Sequence, residues 1–215
     1  ETYLGLLFED VAQHYHNMVF FEDFYDFLPG DTDIVFEVAK KYGIRVVVAL
    51  QEETTKLGSA YVTDFRKKKQ LEREKDEEIK KYANNPAFLG WVIKENPSDE
   101  EIDEYLSIKE SIEKLDSYHP VIYLTREANA FPIYASVSSV CGISHWRSKN
   151  PWELGQIIRT HYRLFKGQQL WIVPPAFVYG SGFPQWNSAP EIRLMLNLAI
   201  SSGARGWLSY TYHNI

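Results

Sequence analysis

Acidic side chains follow three of the short apolar runs in the sequence. Glu52 comes after the run IRVVVAL, Glu95 after FLGWVIK, and Glu127 shortly after VIYLT. A carboxyl group can act as a general acid, a general base or a nucleophile, and carboxylates that face one another raise each other's pKa values. If the three runs end at one place in the fold, they predict acid–base chemistry there. Each glutamate also has a structural interpretation, as loop surface or as a rim carboxylate paired with an arginine.

Other polar and aromatic residues occupy the same kind of position, after an apolar run, and could bind a ligand rich in hydroxyl groups. Histidine and asparagine side chains donate and accept hydrogen bonds, and the faces of aromatic rings are apolar platforms. His145 and His213 are equally compatible with a structural role. Trp171 lies in the middle of a run and is predicted to be a core residue. The candidate binding residues are Asn96, His145, Trp146, Tyr179, Tyr212 and His213.

Metal, phosphate and disulfide chemistry are not predicted. Zinc-type sites need three or more converging ligands, and the pair His14 and His16 has no further ligand cluster near it in the sequence. The loop Gly180-Ser181-Gly182 lacks the lysine that follows a phosphate-binding loop. The single cysteine, Cys141, cannot form an internal disulfide. We therefore expect no metal and no cofactor.

Charge and hydropathy argue against two classes of partner. The net charge is −6, whereas nucleic-acid binding needs a basic surface. The one basic run, 66–69, is followed directly by acidic residues, which is typical of the solvated face of a charged helix. The sequence contains no apolar run long enough to span a membrane and no recognisable signal peptide. It leaves the oligomeric state open.

Strand-like and helical patterns alternate from residue 17 onward. Short runs rich in β-branched and aromatic residues are separated by amphipathic stretches, as in βαβ units with a parallel sheet. This alternation predicts an α/β fold of the (β/α)8 TIM-barrel type, in which residues at the C-terminal ends of the strands form the functional site. The candidates named above all occupy such positions. Seven strands are predicted, at 17–24, 44–50, 88–94, 121–125, 137–144, 170–173 and 205–212.

The boundaries of several helices carry recognisable signals. Asp31 or Asp33 is predicted to cap a helix that Gly43 ends. Ser98 is predicted to cap the helix that follows the strand at 88–94, and Glu101, three positions later, is predicted to complete a capping box. Pro190 is predicted to open a further helix, which Gly203 ends.

The segment before the first predicted strand has a helical pattern. Its apolar residues, including Leu4, Phe8 and Val11, recur at intervals of three and four, which predicts an amphipathic helix over 3–16. A complete barrel typically needs about 250 residues, and this chain has 215. We therefore expect a single barrel domain, 1–215, that is incomplete and whose first strand and last helix belong to a longer protein.

Three stretches resemble the clan A-like (β/α)8-barrel glycoside hydrolases. The stretch 85–97, NPAFLGWVIKENP, is similar to the HPALLGW…DEP segment of that superfamily, in which the fourth strand carries the acid/base carboxylate. The stretch 190–206 resembles its PEE.R…LAL..GA.G ending, and 41–48, KYGIRVVV, resembles its third strand, KYGLKVIV. The resemblance implies a barrel that hydrolyses glycosidic bonds in a carbohydrate, and it favours a secreted or periplasmic location.

The resemblance diverges at the catalytic positions. Counting from Trp91, the acid/base glutamate of the superfamily falls on Asn96, and the residue before it falls on Glu95. The seventh strand, in which the superfamily carries its nucleophile, reads LWIVPPAF at 170–177 and contains no acid. Barrel glycosidases need two carboxylic acids, about 5–5.5 Å apart for retention and 6.5–9.5 Å apart for inversion.

Two hypotheses follow from this divergence. The chain is a glycoside hydrolase that uses Glu95 as acid/base, with a second carboxylate from Glu52, Glu127 or an upstream segment. Alternatively, it is a degenerate barrel that binds carbohydrate without hydrolysis. The acid-rich strand ends favour the first hypothesis, and the order Glu-Asn-Pro with an acid-free seventh strand favours the second.

Overall fold

The structure, a computed structural model, describes residues 2–21, 32–50, 65–95, 98–125, 138–144, 151–164, 168–174 and 188–209. Helices and strands alternate through these ranges, and no helix within them is both long and apolar enough to cross a membrane. In chain order, the elements are α1 (Thr2–Gln13), β1 (Met18–Phe21), α2 (Asp33–Tyr42), β2 (Arg45–Ala49), α3 (Phe65–Ala83), β3 (Phe88–Glu95), α4 (Ile102–Leu115), β4 (Val121–Thr125), β5 (Val140–Ser144), α5 (Pro151–Leu164), β6 (Gln169–Val173), α6 (Ala189–Ser202) and β7 (Gly206–Trp207).

The seven strands form one sheet, in which their order is the same as their order in the chain. The pairs β1–β2, β2–β3, β4–β5, β5–β6 and β6–β7 are parallel. Parallel strands require crossover connections, and helices supply several of them here. The fold is therefore α/β with a parallel sheet, as the alternation of sequence patterns predicts.

The chain divides into two compact units, Glu1–Lys94 with Glu100–Val121, and Glu95–Asp99 with Ile122–Ile215. The first unit has its core between β1 to β3 and the helices packed on them. Strand β2 is buried on both of its faces, because Val46, Val47 and Val48 are each no more than 1% exposed. A continuous β-branched run is what a parallel strand covered on both sides requires. The helices contribute Phe8, Val35, Phe36, Ile79, Tyr82 and Ile112 to this core.

In the second unit, the centre of the sheet is also fully covered. All five residues of β4 are buried, and Trp171 of β6 is buried as predicted. A Cβ atom on Gly206 of β7 would lie 2.5 Å from Cδ1 of Trp171. The absence of a side chain at this position therefore lets the indole ring pack against the neighbouring strand.

The helix stops predicted from glycine are confirmed, whereas two predicted N-caps are wrong. Gly43 and Gly203 follow α2 and α6 with φ angles of 70° and 105°, in the left-handed region that favours glycine. The N-cap of α2 is Thr32. A 3₁₀ turn, Asp99–Glu101, precedes α4, so its N-cap is Glu101 rather than Ser98. Helix α6 has a true capping box, in which Ser188 and Glu191 bond reciprocally.

The N-terminal segment is helical, as its apolar periodicity predicts, although α1 ends at Gln13 rather than at residue 16. Leu4, Phe8 and Val11 are buried along one side of α1. Tyr15, with a φ of 63°, makes the turn between this helix and β1.

Candidate functional site

The candidate residues follow the C-terminal ends of the strands. Within the second unit, Thr125, Ile143, Ile172 and Trp207 lie side by side on β4, β5, β6 and β7. These four strands therefore reach the same level of the sheet just before the chain leaves it. Parallel strands of α/β folds bind their ligands at this edge.

The structure describes these strand ends but not the candidate side chains. The backbone of Glu95 forms the last residue of β3. Its side chain lies outside the described residues, together with Glu52, Asn96, Glu127, His145, Trp146, Tyr179, Tyr212 and His213. In the described ranges, no group of three or more His, Cys, Asp or Glu residues could hold a metal ion. His14 and His16, the H-x-H pair, are both exposed.

Strand β3, which carries Glu95, contains an irregularity that the sequence did not predict. Val46 pairs with Phe88, whereas the next residue of β2, Val47, pairs with Gly90. Leu89 is therefore an extra residue, as in a β-bulge. Backbone hydrogen bonds agree with this assignment. Val46 N donates to Ala87 O, and Leu50 N donates to Val92 O. From the first bond to the second, the chain therefore advances by four residues along β2 but by five along β3.

The bulge changes which residues of β3 face the helices. Phe88 and Trp91 are three residues apart, so regular alternation would place them on opposite faces of the sheet. Both nevertheless contact Tyr82 of α3, with ring centroids 6.3 and 6.1 Å from the tyrosine ring. Trp91 is fully buried on this helix-facing side. Val92 and Gly90 are out of phase with it.

A buried polar cluster holds Trp91 in place, and we call Trp91, Asp116 and His119 the Trp91 network. The indole Nε1–H of Trp91 donates to Oδ2 of Asp116 at 3.0 Å. His119 Nδ1 lies 2.9 Å from the same oxygen. Backbone N–H groups of Tyr118 and His119 donate to Oδ1 at 3.2 and 3.1 Å. Asp116 is only 4% exposed, yet all of these contacts favour its charged form.

The balance of burial and hydrogen bonding sets the ionisation of Asp116. Burial by itself disfavours the carboxylate, but the hydrogen bonds from Trp91 and from the backbone and side chain of His119 outweigh it and lower the pKa of Asp116. Asp116 also immediately follows the C-terminus of α4, where the helix dipole disfavours an anion. The sequence analysis missed this network. An acid directly after a helix and three residues before a histidine is the local signal that could have indicated it.

A carboxyl group with a strongly raised pKa lies on a helix rather than at the end of a strand. Burial raises the pKa of Glu78 on α3 to about 8, although Lys81 nearby acts in the opposite direction. A carboxyl that stays protonated near neutral pH could act as a general acid. Glu78 precedes Tyr82 by one helical turn, so it belongs to the helix layer and not to the candidate site.

Comparisons with known proteins find similarity in structure and none in sequence. No protein-family model matches the sequence, and a comparison with curated proteins gives no match either. Among solved structures, a Bacteroides thetaiotaomicron protein described as an α-L-fucosidase matches with a TM-score of 0.72 at 15% identity, over 97% of this chain and 78% of that one. A β-D-glucuronidase from Dictyoglomus thermophilum matches with a TM-score of 0.67 at 13% identity, over 99% of this chain and 41% of that one.

A third match indicates the same class of fold. A β-galactosidase from the psychrophilic Marinomonas ef1 matches with a TM-score of 0.70 at 9% identity, over 99% of this chain and 52% of that one. This chain thus spans about half or less of the length of the glucuronidase and the galactosidase. The structural neighbours are glycoside hydrolases. At such low identities, they establish the shared fold alone.

Proposed function

We propose that this chain is a glycoside hydrolase domain that acts on carbohydrate through carboxyl groups at the C-terminal ends of its strands. The observation that carries the proposal is the parallel direction of the paired strands, because each candidate residue follows the C-terminal end of a strand. The fold shared with glycoside hydrolases over almost the whole chain supports the choice of substrate class. We further propose that 1–215 is part of a larger protein whose barrel it does not complete.

In this proposal, Glu95 donates a proton to the leaving oxygen, and a second carboxylate either attacks the sugar itself or activates the water that does so. The second carboxylate is Glu127 or Glu52. Glu127 follows β4 in the sequence and Glu52 follows β2. The residues proposed to bind the sugar are Asn96, His145, Trp146, Tyr179, Tyr212 and His213.

A second candidate function, carbohydrate binding without hydrolysis, is favoured by the order Glu95-Asn96-Pro97 after β3 and by the lack of an acidic residue in 170–177. An asparagine at the acid/base position can hydrogen-bond a sugar hydroxyl but cannot protonate a leaving group.

Hydrolysis of aryl glycosides by the parent chain and two variants separates these functions. If Glu95 is the acid/base, Glu95→Gln should reduce the rate by about 10²–10⁴, which is the usual contribution of general acid–base catalysis. Glu110→Gln, which changes an exposed carboxylate on α4, is the matched control and should leave the rate unchanged. Aryl β-glucuronide, β-galactoside and α-L-fucoside cover the sugars named for the structural neighbours.

The variant Asn96→Glu tests the alternative. If position 96 holds the acid/base place, the parent chain should not hydrolyse any of the glycosides, and Asn96→Glu should introduce turnover. Hydrolysis by the parent chain that Glu95→Gln does not reduce would reject the role of Glu95. Absence of turnover in the parent chain, in Glu95→Gln and in Asn96→Glu would reject hydrolysis altogether.

A further inference from the structure

Strand β3 ends at Glu95, and the bulge at Leu89 sets the pairing of the later residues of this strand with β2. A slip of one residue in the pairing of a strand moves every side chain to the opposite face. For β3 such a slip has a simple form, because removing the bulge at Leu89 would pair Val47 with Leu89 instead of Gly90. The slipped strand would turn Trp91 and Val92 to the opposite faces of the sheet.

We propose that the Trp91 network is a register lock, which holds β3, the strand that ends at Glu95, in its bulged register. The network resists the slip because all of its contacts end on the helix-facing side. If β3 slipped by one residue, Trp91 would turn away from Asp116, and a carboxylate that is 4% exposed would lose its indole donor. Losing a hydrogen bond to a buried charged group is more unfavourable than losing one between neutral groups.

Two further contacts fix β3 from the same unit. The backbone N–H of Trp91 donates to Pro120 O at 3.0 Å, immediately after the network residue His119. The ring of His119 packs edge-on against Phe88, with centroids 4.7 Å apart. The network therefore contacts β3 on both sides of the extra residue, at Phe88 and at Trp91. Residues that hold both ends of a bulge define its position.

The consequence for the candidate site rests on the proposed function, whereas the lock itself does not. Trp91 is a positioning residue, because it can act on the candidate site only through the strand that ends at Glu95. The lock can therefore be tested by measuring register, with no assay of hydrolysis.

Cross-strand disulfide trapping in the whole chain reports the register directly. Neighbouring strands lie about 4.8 Å apart, within the Cα separations that a disulfide bridges. The pair Ala49→Cys with Val92→Cys is in register after the bulge, whereas the pair Val48→Cys with Gly90→Cys is in register only after the slip. Both pairs are made with Cys141→Ala, which removes the native buried thiol. Mass spectrometry of the linked peptides gives the yield of each bond.

The first pair should form its bond in the parent chain, and the second should not. Trp91→Phe keeps an aromatic ring but removes the indole donor. It should lower the yield ratio of the first pair to the second by about tenfold or more, which is the usual effect of losing a hydrogen bond to a buried charge. Asp116→Asn should act in the same direction. Tyr82→Phe is the matched control, because it removes only the hydroxyl that bonds Thr32 and keeps the ring that contacts Trp91.

Three outcomes would overturn the lock. A yield ratio unchanged by both Trp91→Phe and Asp116→Asn would show that other contacts hold the register. An equal change in Tyr82→Phe would reduce the effect to general loosening of the core. Loss of folding in both network variants, while Tyr82→Phe stays folded by circular dichroism, would make the network a determinant of folding rather than of register.

Discussion

At the scale of single residues, Asp116 carries the most consequential charge in the described part of the chain. Its carboxylate is buried but receives hydrogen bonds from an indole, a histidine ring and two backbone N–H groups. A carboxyl whose pKa is lower in the folded protein than in the unfolded chain stabilises the fold at pH values above its unfolded pKa. This stabilisation is lost as the pH falls through the pKa of the folded state. The network is thus an acid-sensitive element of the fold.

This sign gives a prediction for Asp116→Asn. The variant should lose about 2 kcal/mol of unfolding free energy at pH 7, which is typical for hydrogen bonds to a charged group. The difference in unfolding free energy between variant and parent should shrink below about pH 4, where the carboxyl of the unfolded chain begins to take up a proton. Urea unfolding at several pH values measures it. Asp103→Asn, an exposed acid on α4, is the control, and a parallel loss in that variant would remove the special role of Asp116.

At the scale of elements, glycines and apolar periodicity carried most of the information. The glycine stops of α2 and α6 and the helical period of α1 are local properties, so the sequence alone predicted them. The bulge in β3 was not predictable in the same way. The letters FLGW at 88–91 do not specify an extra residue. That residue follows from contacts of Phe88 and Trp91 with Tyr82 and of Trp91 with Asp116, which are distant in sequence.

The close approach of β7 to β6 supplies a prediction at this scale. Gly206→Ala would put a methyl group 2.5 Å from the ring of Trp171, and overpacking of this kind costs about 1–3 kcal/mol. Thermal unfolding should show a lower Tm. Gly5→Ala, in α1, is the matched control, because nothing lies within 4 Å of the added atom. It should leave the protein unchanged or stabilise it by up to about 1 kcal/mol. A stable Gly206→Ala variant would mean that Trp171 can move aside.

At the scale of the whole molecule, the sequence predicted the α/β class of fold, whereas the edge at which a ligand binds stays a prediction. Parallel strands whose ends are in register follow from alternating patterns and from the strand-end rule for barrels. The chemistry at that edge depends on side chains that follow the strands, and their distances do not follow from spacing in the sequence. Both candidate functions share one requirement, which is that the strand ends bind a sugar.

Sugar binding is therefore the most direct test, and saturation-transfer NMR of the whole chain with galactose, glucuronate and fucose measures it. If the strand ends bind carbohydrate, we expect saturation transfer to at least one sugar. We also expect His213→Ala to weaken the affinity for that sugar about threefold to tenfold, as the loss of one uncharged hydrogen bond does, without lowering Tm. No transfer to any sugar, combined with no hydrolysis of the aryl glycosides, would contradict the proposal. A fall in Tm with unchanged affinity in His213→Ala would instead make that histidine structural.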